Sequence, residues 1–454
     1  MLKNIPLNQE DTIITSKKQL CEIFYSGCKS CAQKNIGLEF EKLPVNKNTF
    51  KAASYFETAR FLLDFKNGKW QGLEENGAIL GLSGTDGTIS LEPGSQTELS
   101  LNPKSSVCEI EKYLDNYNKQ TSRIAQKYGI YWLGYGIQPV STYRNINIIP
   151  KKRYEYMTKY LPTVAKKPLV MMRETAGIQV SVDYSDEADA MKKFAAALRL
   201  SPIMSAVFAN SPVRNSRLTK FKSNRASSWL DTDNDRCGLV SAKAFRRGEF
   251  SFAEYAEILL DVPMIFIERN LTNLPNSKTA LKVENLTFRQ FLKDGYQGYR
   301  ATKQDWELHL SLYFPDVRFK NYIEIRNHDN QRKELVCAVP AFWKGIIYND
   351  SAIESVNELL KDFSCFDFEY LRRKTPQKGL DMKIKYQKLS DIAKEIVKIS
   401  YESLKTYKKN EEKYLEPLMA LLDNGKTPAD LIIQKWENEW QGNIKYLVDY
   451  SRLD

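Results

Sequence analysis

Hydrophobic and polar residues alternate in the same sense along four short stretches of this chain. In Ile36-Gly37-Leu38-Glu39-Phe40-Glu41-Lys42, a period of two puts Leu38 and Phe40 on one face of a strand and Glu39 and Glu41 on the other. Ile89 to Ser100 repeats the pattern, with Glu92, Gly94, Gln96 and Glu98 on one face and Pro93 marking an edge or a bulge. Gln179-Val180-Ser181-Val182-Asp183 gathers Gln179, Ser181 and Asp183 on one side. Tyr322-Ile323-Glu324-Ile325-Arg326 sets Glu324 and Arg326 against Ile323 and Ile325.

Between these strands the period lengthens to that of helices. Helices are predicted from Lys17 to Phe24, Tyr55 to Asn67, Glu109 to Tyr128, Arg153 to Tyr160, Ala188 to Leu198 and Phe252 to Asp261, with another opening at Thr287. Tyr131 to Ile137 and Val262 to Ile267 read as buried strands. Asn76-Gly77 and Ser83-Gly84-Thr85-Asp86-Gly87 punctuate short strands as turns. Asn210 to Gly238 reads as a long polar loop carrying Arg214, Arg217, Arg225 and Arg236. From Ala352 to the end the chain is helical, broken at Gly379, Gly425 and Pro428. There is no internal repeat and no low-complexity linker, so the expectation is one α+β domain over residues 1–454 with a helical C-terminal part from about 352 to 454.

Composition narrows the class. A hydrophobic content of 42% with 12% aromatics supports a sizeable core. Seven cysteines in 454 residues make no disulfide framework. No apolar run nears the roughly eighteen residues of a membrane span, and Met1 to Glu10 lack the apolar core of a secretory signal. The expectation is a soluble cytoplasmic protein without a membrane partner. The net charge of +11 raises the possibility of a nucleic-acid partner. The lysines after Leu380, however, interleave with acids at helical spacing, which reads as a solvated helix face. Cys28-Lys29-Ser30-Cys31 has no second pair and no nearby histidine, so it reads as a loop and not a zinc site.

The acids carry the candidate chemistry. Glu39 with Glu41 alone is weak, because 56 acids in 454 residues generate an acid-x-acid spacing by chance roughly seven times. Several strands that all turn carboxylates to one face are a stronger signal. Like charges gathered there destabilise the fold unless something neutralises them. Two or three Mg²⁺ ions would do so, and Mg²⁺ favours a few carboxylates together with phosphate oxygens, as in Mg-ATP. No GxxxxGK[ST] or GxGxxG loop is present to cradle phosphates instead.

Longer stretches give a specific resemblance. They are Ser26-Gly27-Cys28-Lys29 followed by Ile36 to Lys42; Ser90 to Leu99; Leu133-Gly134-Tyr135-Gly136-Ile137-Gln138-Pro139; Phe208-Ala209-Asn210-Ser211-Pro212; Trp229 with Asp231 to Arg236; Leu260 to Met264; Tyr322 to Arg326; and Pro340-Ala341-Phe342-Trp343. In this order they resemble the glutamate–cysteine ligases of the plant and proteobacterial type. The resemblance implies a glutamine-synthetase-like fold, with a curved, largely antiparallel sheet forming an open funnel and helices packed outside. It implies ATP-dependent joining of L-glutamate to L-cysteine through a γ-glutamyl phosphate, the first step of glutathione synthesis, by a monomer or homodimer. Carried over position by position, Glu39, Glu41, Glu92, Glu98 and Glu324 would ligate metal. Arg326 would steady the transferring phosphoryl group, and Arg225 would take a substrate carboxylate. Gln179, Gln96, Trp229, Arg236 and Lys42 would contact substrate or nucleotide.

The chain departs from the family at Leu38 and Phe40, where threonine and histidine are usual. It departs again at Glu174, Ala176 and Ser181, where the plant enzymes carry arginine, cysteine and asparagine. With Ala176, and no cysteine between Cys237 and Cys337, a plant-type thiol switch is not expected. The alternatives are a related glutamate–amine ligase with a different acceptor, a basic nucleic-acid-binding protein, and a non-catalytic homologue.

Overall fold

The computed structural model describes residues 12–66, 68–246, 248–270 and 278–454. Its centre is a nine-stranded sheet. The strands are β1 (Ile36–Asn46), β2 (Trp70–Glu75), β3 (Ala78–Gly84), β4 (Gly87–Leu91), β5 (Thr97–Lys104), β6 (Ile130–Leu133), β7 (Gly177–Val182), β8 (Val317–Phe319) and β9 (Ile323–Asp329). They lie in the order β8-β9-β7-β1-β5-β4-β3-β2, with β6 paired to the far end of β1. Every pairing in this sheet is antiparallel. The α+β expectation with a large open antiparallel sheet therefore holds.

The alternation read from the sequence decides the two faces. Leu38 and Phe40 on β1, Ile178 and Val180 on β7, and Ile323 and Ile325 on β9 are buried together. The helix Ala338–Ile347, buried along its whole length, packs under β1 and β7, and the helix Glu187–Val207 packs against β8 and β9. Glu39, Glu41, Gln179, Glu324 and Arg326 occupy the opposite face by the same period.

A buried pair fastens the helix Ala338–Ile347 to the sheet. The Trp343 indole N–H donates to His328 Nε2 at 2.8 Å. An indole nitrogen can only donate, so Nε2 is the unprotonated nitrogen. His328 Nδ1 then carries the proton and donates to the Ile178 carbonyl oxygen at 3.3 Å.

Some elements differ from the sequence reading. Ile89 to Ser100 is two strands and not one. Glu92 to Gln96 forms a tight turn in which Ser95 N–H donates to the Glu92 carbonyl oxygen at 2.8 Å, with Ser95 at a φ of +69°. Pro93 cannot donate to a ladder, so the chain reverses there. Tyr131 to Ile137 is a strand only as far as Leu133. Val262 to Ile267 becomes a strand only at Phe266, after Pro263, and runs to Asn270. The supposed loop Asn210 to Gly238 contains a short hairpin and the helix Asn224–Trp229.

The segment after Ala352 is mostly helical but contains a short hairpin, Lys383–Ile384 with Gln387–Lys388. Gly379 and Gly425 terminate two of its helices in left-handed backbone at φ +56° and +66°, and Pro428 opens the next. Their lysines pair with acids at helical spacing, as in Lys435–Glu439 and Lys445–Asp449. Such exposed pairs contribute little stability and mark a solvated face.

Burial holds the His328 imidazole down to about 3 and that of His309 to about 4. Both fold neutral, whereas in the unfolded chain they take up protons below about pH 6.5. Because the folded values lie below the unfolded one, this contribution is complete above about pH 6.5 and is lost as pH falls towards 4 and 3. Each histidine then removes up to about 1.4 kcal/mol per pH unit. Urea unfolding provides the check. A His309→Gln variant should lose about 1 kcal/mol less than wild type between about pH 6 and pH 5. Equal losses would remove His309 from the account.

Candidate active site

The register of the sheet brings the acids together. Glu41 lies directly across from Glu98 of β5, and Glu39 lies between Ser100 of β5 and Gln179 of β7. Glu92 ends the strand beside β5, and its carboxylate accepts from the Tyr154 hydroxyl at 3.1 Å. Glu98 accepts from the Ser100 hydroxyl at 3.1 Å. Like charges directly opposite on neighbouring strands oppose folding. Burial, and then the charges of Glu39, Glu92 and Glu41, push the Glu98 carboxyl well above the usual range. Burial raises Glu41 to about 7 despite the nearby Arg225. Burial and Glu324 raise Glu39.

Glu324 behaves in the opposite way. It is fully buried, yet Arg318 at 2.6 Å, Lys320 at 2.7 Å and Arg326 all reach its carboxylate. Burial works against its charge. Arg318, Lys320 and Arg326 outweigh burial and hold the carboxyl well below its usual value. Arg326 also donates to the Gln179 side-chain oxygen, which fixes the guanidinium over the polar face.

Arg225 sits on the helix Asn224–Trp229, which Ser223 caps by accepting from Ala226 N–H. The Arg225 guanidinium lies against Gly177, where an added Cβ would fall 2.5 Å from its terminal nitrogen. Gly177 is thus required for the close approach, and its N–H donates to Glu41. One end of the guanidinium donates to the Arg326 carbonyl oxygen at 2.8 Å. Arg225 Nε and Trp229 Nε1 are buried without a partner among the described residues. Both residues line a narrow cleft, together with Arg326, Arg372, Asp316 and Phe314. Buried donors without acceptors beside a cleft are what an anionic ligand would satisfy.

Three residues expected at the site are elsewhere. Lys42 points to the core face, where it donates to the Thr121 hydroxyl at 2.8 Å and lies 3.9 Å from the Tyr117 ring centre. As an even position on β1, it follows Leu38 and Phe40. Gln96 is consumed within the fold, accepting from Gly94 N–H and donating to the Met172 and Thr175 carbonyl oxygens. Arg236 is buried and donates to Asp233 and to the carbonyl oxygens of Leu312 and Pro263. These three brace the walls and face no open site.

The sequence reading missed Arg318, Lys320, Tyr154 and Arg153. Arg318 and Lys320 alternate just before the Asn321-Tyr322 turn, so a hairpin reading would have placed Arg318 across from Glu324, as observed. Arg153 is held by Ser311 through two hydrogen bonds of 2.8 and 2.7 Å.

Glu39, Glu41, Glu92 and Glu98 offer hard oxygen donors without matching counter-charge, the donor type a cation such as Mg²⁺ takes. Among the described residues no three His, Cys, Asp or Glu side chains converge tightly enough to enclose an ion, and Glu39, Glu41, Glu92 and Glu98 are each partly exposed. Glu324, expected as a fifth ligand, is occupied by its three cations.

An acidic sheet face edged by two fixed arginines and a cleft with unsatisfied donors is the layout of a ligase that handles phosphate and carboxylate together. Residues 35–450 match glutamate-cysteine ligase family 2, and the chain belongs to that family. It is 34% identical over 446 residues to the chloroplastic glutamate–cysteine ligase of Brassica juncea, covering 97% of this chain and 85% of that one. It is 33% identical over 437 residues to the chloroplastic ligase B of Oryza sativa, covering 94% and 86%. The fold is shared with a glutamate–cysteine ligase from Francisella tularensis in complex with AMP, at a TM-score of 0.55 and 14% identity over 92% of this chain and 87% of that one. The cytoplasmic expectation is withdrawn, because these plant relatives are chloroplastic by name. No helix among the described residues is long and apolar enough to cross a membrane.

The two kinds of glutamate predict opposite outcomes. Glu98→Gln should raise stability by about 1 kcal/mol at neutral pH, because a glutamine does not have to be neutralised on burial as the raised Glu98 carboxyl does. Glu324→Gln should cost about 3 kcal/mol by leaving buried cations unpaired. Denaturant unfolding at neutral pH reads both; effects of the same sign would contradict this division.

Proposed function

We propose that the protein joins the γ-carboxylate of L-glutamate to the amino group of L-cysteine at the expense of ATP, supplying the first step of glutathione synthesis. The observation that carries this reading is the family match over residues 35–450 in a chain whose acids and arginines meet on one sheet face. The γ-phosphoryl of ATP passes to the glutamate γ-carboxylate, giving ADP and an acyl phosphate. The cysteine amine attacks that carbonyl carbon, phosphate leaves and an amide bond forms.

Arg326, held between Glu324 and Gln179, presents a fixed cation where phosphoryl charge develops. Its preorganisation depends on Glu324, which Arg318 and Lys320 in turn hold ionised. Arg225 and Trp229, with their unsatisfied N–H groups, would receive a substrate carboxylate in the cleft. Glu39, Glu41, Glu92 and Glu98 would hold two or three Mg²⁺ ions, which when bound screen triphosphate charge. The whole chain would act as one catalytic unit.

ADP release with Mg-ATP and glutamate, scanned over amino-acid acceptors, tests the activity. Release that requires cysteine or 2-aminobutyrate is expected; release indifferent to acceptor would overturn the reading. Arg326→Ala should lower kcat by about 10²–10³-fold while retaining the fold. Mg²⁺ without nucleotide should raise the melting temperature of wild type and raise that of Glu98→Gln less. An identical response of the two proteins would remove Glu98 from the metal set.

A further inference from the structure

A second cleft lies on the other side of the helix Asn224–Trp229 from the one that Arg225 and Trp229 line. It is bordered by Arg144, Lys167, Arg214 and Lys220, with no carboxylate among its lining residues. Among the described residues only Arg214 of these four forms an ion pair, with Glu174, so the concavity keeps an excess of positive charge.

Two of the four are built into the wall. Glu174 is wholly buried beneath Arg214 and accepts from its Nε at 2.5 Å and Nη2 at 2.7 Å. Glu174 also accepts from Tyr143 N–H at 2.7 Å. This bidentate grip orients the guanidinium and leaves its Nη1 free of any protein partner among the described residues. Lys167 is half-buried and donates only to the Ser227 hydroxyl at 2.9 Å and the Ser227 carbonyl oxygen at 3.3 Å. Burial depresses its pKa, Asp231 partly offsets this, and Arg214 and Lys220 depress it further. Asp231 is turned elsewhere, accepting from Lys166 N–H at 3.2 Å. Phe221 separates Lys167 from Lys220, with each ammonium about 5 Å from the ring centre, at 5.2 and 5.3 Å. Arg144 and Lys220 stand exposed at the rim.

We propose that this cleft is a binding site for a small polyanion bearing two or more phosphate or carboxylate groups, separate from the acidic face. Arg214 offers a pre-oriented fork, Lys167 a poorly solvated point charge, and the rim cations long-range attraction. The site shares the helix Asn224–Trp229 with Arg225: Asn224, Ser227 and Ser228 line this cleft, and Arg225 and Trp229 line the other. The inference does not depend on which amine the protein ligates.

Calorimetric titration of the full chain at low salt, without nucleotide or Mg²⁺, tests it with tripolyphosphate and with citrate as probes. One or both should bind, and the stronger binder identifies the source as phosphate or carboxylate. The Arg144→Glu/Lys220→Glu double variant, changed only at exposed positions, should weaken binding by about tenfold or more. A Lys167→Met variant should also bind more weakly, and Arg326→Ala should bind as wild type does. Equal binding by the double variant, loss in Arg326→Ala, or failure of both probes at millimolar concentration would overturn the proposal.

Discussion

The repulsion among Glu39, Glu41, Glu92 and Glu98 is the constraint around which this fold is arranged. An antiparallel sheet sets directly opposed side chains about 5 Å apart, so the Glu41–Glu98 register alone is costly at neutral pH. The raised carboxyls of Glu98 and Glu41 express that cost. The face opposite has to compensate. Leu38, Phe40, Ile178, Val180, Ile323 and Ile325 are buried against helices there, each full side-chain burial contributing about 1.5–3 kcal/mol. A one-residue slip of β1 would invert both faces at once. Register and acidity are therefore specified by the same alternation.

The cations are divided by task. Arg318 and Lys320 keep Glu324 ionised in full burial, and they also donate to the Tyr313 carbonyl oxygen at 2.6 Å and the Tyr322 hydroxyl at 3.0 Å. Arg326 shares that carboxylate but is also tied to Gln179, so it is aimed as well as paired. Arg225 is oriented differently, through Gly177 beneath it and the Arg326 carbonyl oxygen beside it. Asp329 supports the same helix by accepting from Ser223 at 2.8 Å and Ser211 at 2.6 Å. A buried network of this kind works only when every member is satisfied. Among its unsatisfied atoms, Arg225 Nε and Trp229 Nε1 belong to residues lining the cleft.

How much of this was legible depended on whether the signal was local. The period of two placed Glu39, Glu41, Gln179, Glu324 and Arg326 on one face correctly. The same rule, applied to Lys42, puts it on the core face, and following the family motif instead of the parity misplaced it. Glu92 and Glu98 were assigned to one strand because Pro93 was read as a bulge, whereas Gly94 and the left-handed Ser95 complete a turn. That error still gave the right neighbours, because a hairpin brings its two arms side by side. Gln96 and Arg236 failed for another reason. Besides the local partners Gly94 and Asp233, they are held by backbone carbonyls of Met172, Thr175, Leu312 and Pro263, far away in sequence, and no pattern of side chains announces such bonds.

The same geometry reclassifies the chain's departures from its family. Leu38 and Phe40, which the resemblance marks as departures, are buried on the helix-covered face, and Phe40 lies across from Leu99 and Ile178. They can alter how the sheet packs, but they do not border the acidic face. Glu174, another position the resemblance marks as a departure, lies buried behind the second cleft and pairs with Arg214 of its lining. A buried carboxylate needs such a partner, since an isolated one would neutralise or unfold its surroundings. Glu174 and Arg214 are therefore coupled in this chain. Of these departures, Ser181 lies on the polar face, across from Glu324.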